Sequence, residues 1–248
     1  IWSWISPENR QIIVDFLRRK LKIGGVVYIS YNTNPGWAAF APIRHLLTQH
    51  QASQSAPGQG KLTTIQTALD FAQQVLDTNP TYCKANPLVN ERFQRIKDKD
   101  RHYLVHEYFN QDWYPTYFSE LAKAMQEAKL SFAASAHYLD AVEGIHFSAA
   151  QLNVLNSLSD PLFRETVREF MGHEMFRRDY WVKGARQLSP MAQTEALRQQ
   201  LVVLTTPRAQ VPLTIQGNQG QGTLNADVYV PLLDALADHL PHTLGELE

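Results

Sequence analysis

The stretch from Ser6 to Trp37, "SPENRQIIVDFLRRKLKIGGVVYISYNTNPGW", constrains the fold more than any other part of the chain. Ser6 is placed to cap a helix, Pro7 to take its first position and Glu8 to sit in its first turn, where the helix dipole favours an acid. Ile12, Ile13, Phe16, Leu17 and Leu21 recur at helical spacing, basic residues crowd the last turn, and Gly24-Gly25 ends it. "VVYIS" is then continuously apolar and β-branched, which reads as a short strand buried on both faces. Helix, double glycine and buried strand together predict a parallel α/β sheet with this strand inside it.

Ligands of an open parallel sheet sit beyond the carboxyl ends of its strands. That rule places Ser30, Tyr31, Asn32 and Trp37 where a substrate would be met, with Pro35-Gly36 turning the chain to fix their directions. The same residues also suit a turn in which an Asn caps backbone groups and Trp37 fills a core. "YLVHEYF" supplies His106 and Glu107 as a base or orienting pair, with Tyr108 next to them as a substrate-binding side chain. A histidine satisfied at an internal interface is the plainer reading of His106.

Beyond Trp37 the pattern turns helical. "APIRHLL", "LTTIQTALDFAQQVLD" and "KANPLVNERFQRIKDKD" read as helices, and "QHQASQSAPGQGK" as a mobile loop. "RHYLVHEYFNQDWYPTYF" is aromatic and too irregular to assign; the amphipathic "TYFSELAKAMQEAKL" and the strand-like "SFAASAHY" follow. Ser148 caps "AAQLNVLNSLS", and Asp160-Pro161 opens "PLFRETVREFMGHEMFRR". "FRRDYWVKG", with Arg177, Arg178 and Lys183, reads as a solvated helix end. In the last sixty residues "QLVVLTT" and "VPLTIQ" resemble strands, "GNQGQG" a loop tip and "DVYVPLLDALADH" a helix.

Several chemistries are disfavoured. A formal net charge of −1, from 23 basic and 24 acidic residues, creates no field that would recruit nucleic acid or an anionic membrane. The single cysteine, Cys83, excludes an internal disulfide and suits a reducing cytoplasm. No apolar run approaches the roughly 20 residues of a membrane-spanning helix. His106-Glu107 and His173-Glu174 each begin a zinc-protease motif, but the positions four beyond each histidine hold Asn110 and Arg177, so no metal site is expected. "GNQGQG" and "GQGKL" lack the spacing of phosphate-binding loops.

Taken together, "IWSWISPENRQIIVDFLRRKLKIGGVVYISYNTNPGW", "PIRHLL", "YLVHEYFNQDWYPTYFSELAKAMQEAKLSFAASAHY" and "FRRDYWVKG" resemble the later part of a class I S-adenosylmethionine-dependent methyltransferase with a methyltransferase regulatory domain. The group is similar to bacterial outer-membrane-protein lysine methyltransferases. The likeness covers roughly residues 1–186. It implies an α+β, mostly helical chain: 1–37 as part of the Rossmann-like core, 38–112 as a helical regulatory insertion, and 113–140 as the final core helix and strand. A helical region over 141–190 and a small winged-helix-like module over 191–248 would follow.

The resemblance further implies that Trp2, Ser3 and Trp4 lie near the methyl donor, and that Tyr31, Asn32, Trp37 and Tyr108 face the acceptor. The glycine-rich cofactor turn of the family would precede Ile1. This chain is therefore expected not to bind S-adenosylmethionine tightly and to be inactive by itself, its partners being the rest of the methyltransferase, a protein substrate and a second copy. Two rival readings stand beside it: a non-enzymatic interaction or dimerisation module, and part of a small-molecule methyltransferase.

Overall fold

The Ser6 hydroxyl accepts the Asn9 N–H at 3.3 Å, so α1 (Pro7–Lys20) begins where its capping chemistry dictates. Its apolar residues divide between two faces. Val14 is buried and Ile13, Leu17 and Leu21 pack on the core, whereas Ile12 and Phe16 remain more than half exposed. The computed structural model of the protein describes residues 1–54 and 60–248.

A helical layer follows β1 (Val26–Asn32): α2 (Asn34–Trp37), α3 (Ala41–Gln54), α4 (Lys61–Asp77), α5 (Thr81–Ala85), α6 (Leu88–Lys97) and α7 (Arg101–Glu107). The segment expected as a loop from Gln49 is helical to Gln54, because Leu47 anchors α3 against α4; its centre, 55–59, lies outside the described residues. The stretch from Arg101, unassignable from its aromatics, starts as α7 because the Asp100 carboxylate accepts the N–H groups of His102 and Tyr103 at 2.9 and 3.2 Å. Trp37, Phe40, Leu47, Leu69, Phe93 and Leu104 belong to the core of this layer.

Next come α8 (Phe118–Glu127), β2 (Leu130–Ser135), α9 (Ala149–Asn156), α10 (Pro161–Met171) and β3 (Phe176–Lys183). The three strands form an antiparallel sheet in the order β1-β3-β2. Three expectations are thereby corrected. The pairing of β1 with β3 is antiparallel, not parallel, and within this chain its other edge is unpaired, Val26 and Tyr28 being 57% and 52% exposed. "FRRDYWVKG" is the central strand and not a helix end. The core sheet therefore closes within the 141–190 region expected to be helical, so 113–140 is not its last contribution.

The reason lies in β3's burial pattern. Arg177, Asp179, Trp181 and Lys183 face inward at alternate positions, the period of a strand, and the charged members are paired: Arg177 with Asp179 and Glu165, Lys183 with the Leu17 and Arg18 carbonyls. Trp181 stacks on Phe118 at 5.8 Å between centroids, and Phe132 meets both rings edge-on.

The chain ends in α11 (Pro190–Arg198), β4 (Leu201–Val202), β5 (Thr214–Gly217), β6 (Gly220–Thr223), α12 (Ala226–Ala235) and β7 (His242–Thr243). β5 and β6 form a hairpin about the "GNQG" tip, and β4 pairs with β7. Among the described residues, none after Lys183 is fully buried.

Candidate functional site

β1 enters the helical layer at its carboxyl end. Thr33 N–H donates to the Met175 carbonyl at 3.0 Å and Gly36 N–H to the Glu174 carbonyl at 2.8 Å, clamping the proline-glycine turn to the segment before β3. Gly36 is required for this approach: a Cβ there would lie 2.3 Å from Met175 Cγ and 2.6 Å from the Glu174 carbonyl oxygen. Trp37 Nε1 donates to the Met175 carbonyl at 3.0 Å, so its indole is oriented by the same segment.

At this end Asn32 Nδ2 donates to Glu107 Oε1 at 2.7 Å. Both residues are buried. Burial pushes the Glu107 carboxyl above its ordinary pKa, while the Asn32 hydrogen bond and the nearby Arg92 and Arg44 pull it back. Tyr108, the next residue, has its hydroxyl pushed up to about 12 by burial, with Arg92 opposing. Its ring lies 5.6 Å from Trp37 and 5.9 Å from Phe40. Trp113 closes on Trp37 at 5.1 Å.

Two arginines complete the wall. Arg44 lies 4.5 Å above the Trp113 ring, and burial draws its pKa down to about 10. Arg92 lies 4.0 Å above Trp37 and 4.4 Å above Phe40, and its Nη1 donates to the Gly36 carbonyl at 2.9 Å. Three N–H donors of this region, on Trp4 Nε1, Trp113 Nε1 and Arg44 Nε, are buried without an acceptor among the described residues. Such unmatched donors suit an acceptor-bearing ligand.

The structure thus brings Asn32, Trp37, Glu107 and Tyr108 together. It separates the other residues named from sequence. His106 is exposed on α7. Tyr31 is fully buried beneath the sheet, where its hydroxyl donates to Asp179 Oδ2 at 2.6 Å. Trp2 and Ser3 are also buried. Trp2 packs with Arg10, whose guanidinium lies 5.3 Å above the ring and whose Nε donates to the Trp2 carbonyl at 2.9 Å. Ser3 Oγ accepts the Asn32 N–H at 2.8 Å. Trp2 is thus covered by this chain's own residues. Arg44 and Arg92 were not legible, since only the tertiary fold carries α3 and α6 to Glu107; an arginine spaced among apolar helix residues was their one sequence signal.

Comparison with known proteins decides the context. Residues 100–183 match the family described as "Predicted methyltransferase regulatory domain". That segment is similar to a methyltransferase regulatory domain. The matched residues run from the start of α7 through α8 and α10 to β3.

Over all 248 residues the chain is 43% identical to an uncharacterized protein of Synechocystis sp., of which it covers 48%. It is 31% identical over 127 residues to an uncharacterized protein of Rickettsia prowazekii, covering half of that protein and 51% of this chain. In structure it resembles PKMT2 from Rickettsia typhi in complex with AdoHcy, with a TM-score of 0.68 and 20% identity, over 100% of this chain and 50% of that one. The chain therefore has the fold of half of PKMT2, and it spans about half the length of the relatives it matches. Among the described residues no helix is long and apolar enough to cross a membrane, and no group of three or more His, Cys, Asp and Glu side chains is arranged to hold a metal ion.

Proposed function

We propose that this chain is the acceptor-facing, regulatory portion of an S-adenosylmethionine-dependent methyltransferase directed at protein lysine, working in the cytoplasm with polypeptide that lies outside the chain. The observation that carries the reading is the buried Glu107 carboxyl, held by Asn32 at the carboxyl end of β1 and facing an aromatic wall. The AdoHcy complex of the structurally similar PKMT2 supports the choice of cofactor.

S-adenosylmethionine, when bound, supplies a methyl group on a cationic sulfur. A lysine ammonium must lose a proton before its nitrogen can attack, and Glu107, whose affinity for protons burial has raised, accepts that proton on its carboxylate. Asn32 fixes the carboxylate's direction. Trp37, Tyr108 and Trp113 offer ring faces that attract cations. Of the three residues expected near the donor, Trp2 and Ser3 are committed to their own partners, and only Trp4 keeps an unmatched N–H.

The remaining polypeptide of the longer relatives would add to the free edge of β1 and cover Val26, Tyr28, Ile12 and Phe16, since an open apolar strand edge invites pairing. Methyl incorporation by a longer chain, measured in protein lysates and in small-molecule extracts, tests the reading. Label in protein lysine is expected, and label confined to small molecules would overturn it. Calorimetric titration of the 248-residue chain with S-adenosylmethionine is expected to give no binding or very weak binding; micromolar affinity would contradict the division of labour.

A second reading, as an interaction or dimerisation module, is favoured by the segment after Lys183. It exposes Met191, Leu197, Leu201 and Leu240 and fully buries none of its described residues. A concentration-dependent mass in sedimentation would support self-association.

A further inference from the structure

A cleft of about 440 Å³ opens between the start of α1, the turn before α8 and α8 itself. It shares no lining residue with the Glu107 site, and its volume suits a small ligand. Pro7, Val14, Pro115 and Ala124 supply apolar wall, and Arg10, Gln11 and Glu120 supply the charged and amide groups.

Arg10 is fixed in direction. Its guanidinium lies 5.3 Å from the Trp2 ring and 5.3 Å from the Tyr114 ring, Nε donates to the Trp2 carbonyl at 2.9 Å, and Nη2 donates to the Tyr114 carbonyl at 3.0 Å. Nη1 has no acceptor among the described residues, and it is open to solvent, unlike the enclosed donors beside Glu107. Glu120 is exposed and equally fixed: Oε2 accepts the Thr116 hydroxyl at 2.7 Å and the Tyr117 N–H at 2.9 Å, which leaves Oε1 unengaged. Burial draws the Arg10 pKa down while Tyr114, Glu120 and Asp112 oppose the shift, so Arg10 and Glu120 stand within electrostatic reach, yet they form no ion pair with each other. A cation and an anion that line one cleft without neutralising each other are complementary to a ligand carrying both charges. An acid or an amine alone meets one partner and one like charge, whereas a zwitterion makes a charge-assisted hydrogen bond at each end.

We propose that this cleft binds a free α-amino acid with an apolar side chain, its carboxylate accepting from Arg10 Nη1, its ammonium donating to Glu120 Oε1 and its side chain lying against Val14, Pro115 and Ala124. Residues inside a peptide lack the paired backbone charges, so the free amino acid is the ligand that satisfies both walls. Arg10 stacks on Trp2, so occupancy is reported by that indole. The inference is independent of the methyl-transfer reading.

Leucine, 4-methylpentanoate and isopentylamine, which share one apolar body and differ only in their charges, are titrated into the full chain and followed by protein-observed NMR at the Trp2 indole and Arg10 Nε–H resonances. Leucine should bind saturably and at least about tenfold more tightly than either analogue; tenfold corresponds to ~1.4 kcal/mol. Arg10→Lys, which loses the planar fork, should weaken leucine about tenfold. Glu120→Gln keeps the oxygen that Thr116 and Tyr117 use, and it decides the matter if the Arg10 variant does not fold. It should weaken leucine about tenfold while 4-methylpentanoate, no longer facing a like charge, binds no less tightly than before, a crossing that a merely structural role for Glu120 would not produce. Either analogue binding as tightly as leucine, leucine affinity unchanged in Glu120→Gln, or no saturable leucine binding would each overturn the proposal.

Discussion

The Asn32 amide joins the end of β1 to the end of α7, donating to Glu107 Oε1 at 2.7 Å across 75 positions of sequence. Because this bond favours the charged carboxylate against the push of burial, Asn32→Leu should raise the Glu107 pKa further. Carbon-13 NMR titration of the labelled carboxyl reads the change directly, and a midpoint that does not move would remove Asn32 from its assigned role.

If Glu107 takes the acceptor's proton, methyl transfer by a longer chain rises with pH as the carboxyl ionises. Glu107→Gln should then lower the rate by roughly 10²–10⁴-fold and abolish that rising limb, while Asn32→Leu moves the limb to higher pH. Rates of methyl incorporation across pH, compared between the three proteins, check both effects.

Glu169, fully buried on α10, accepts the Phe118 N–H through both oxygens and so caps α8 from outside the helix. Burial lifts its pKa from an ordinary 4.5 to about 7. Between those values the native protein holds a proton that the unfolded chain has released, so this carboxyl's contribution to stability falls as pH rises through the window. Glu169→Gln keeps an acceptor for Phe118 and should flatten that dependence, gaining on the order of 3 kcal/mol at pH 8 at ~1.4 kcal/mol per pH unit. Urea unfolding at pH 5 and pH 8 measures it, and parallel slopes for the two proteins would refute the assignment.

Under the sheet, Arg177 binds Glu165 Oε2 at 2.8 Å and Asp179 Oδ2 at 3.1 Å, and Tyr31 gives Asp179 a further hydrogen bond. Removing the cation strands two buried carboxylates, so Arg177→Met should cost about 3–5 kcal/mol. Tyr31→Phe removes one hydrogen bond to a charged group and should cost about 1.5–3 kcal/mol. Thermal and denaturant unfolding rank the two variants, and the reverse order is the outcome that contradicts this account.

Gly36→Ala tests the clamp between α2 and the segment before β3. The added methyl meets backbone atoms of Glu174 and Met175, not only flexible side chains, and overpacking of this kind costs about 1–3 kcal/mol or more. The loss should appear as a lower unfolding midpoint together with a shifted Trp37 emission.

Local signals made part of the fold legible. Ser6-Pro7 and Asp160-Pro161 locate α1 and α10 because cap and first-turn geometry is written in adjacent residues. The amphipathic spacing of Phe118, Leu121, Ala122 and Met125 marks α8 in the same way. β3 was hidden because Arg177, Asp179 and Lys183 face inward, and charges at those positions disguise the alternation of a strand. Tyr180, Trp181 and Val182 were the surviving signal. The exposure of Ile12 and Phe16 was equally unreadable, since periodicity identifies an apolar face but not what lies against it. At the site, Asn32, Trp37, Glu107 and Tyr108 were recognisable by residue type; Arg44 and Arg92 reach them only through the packing of distant helices.

β3 reaches its place between β1 and β2 last in chain order, and Tyr31 waits 148 positions for Asp179. During synthesis the two outer strands leave the ribosome long before the ribbon that joins them exists. Contacts so remote along the chain close slowly, and unpaired strands in the interval are adhesive. A nascent chain halted after Ser135 and before Phe176 therefore holds two orphan strands with no means of pairing through β3, which makes the completion of those eight residues the committing event in assembly of the sheet.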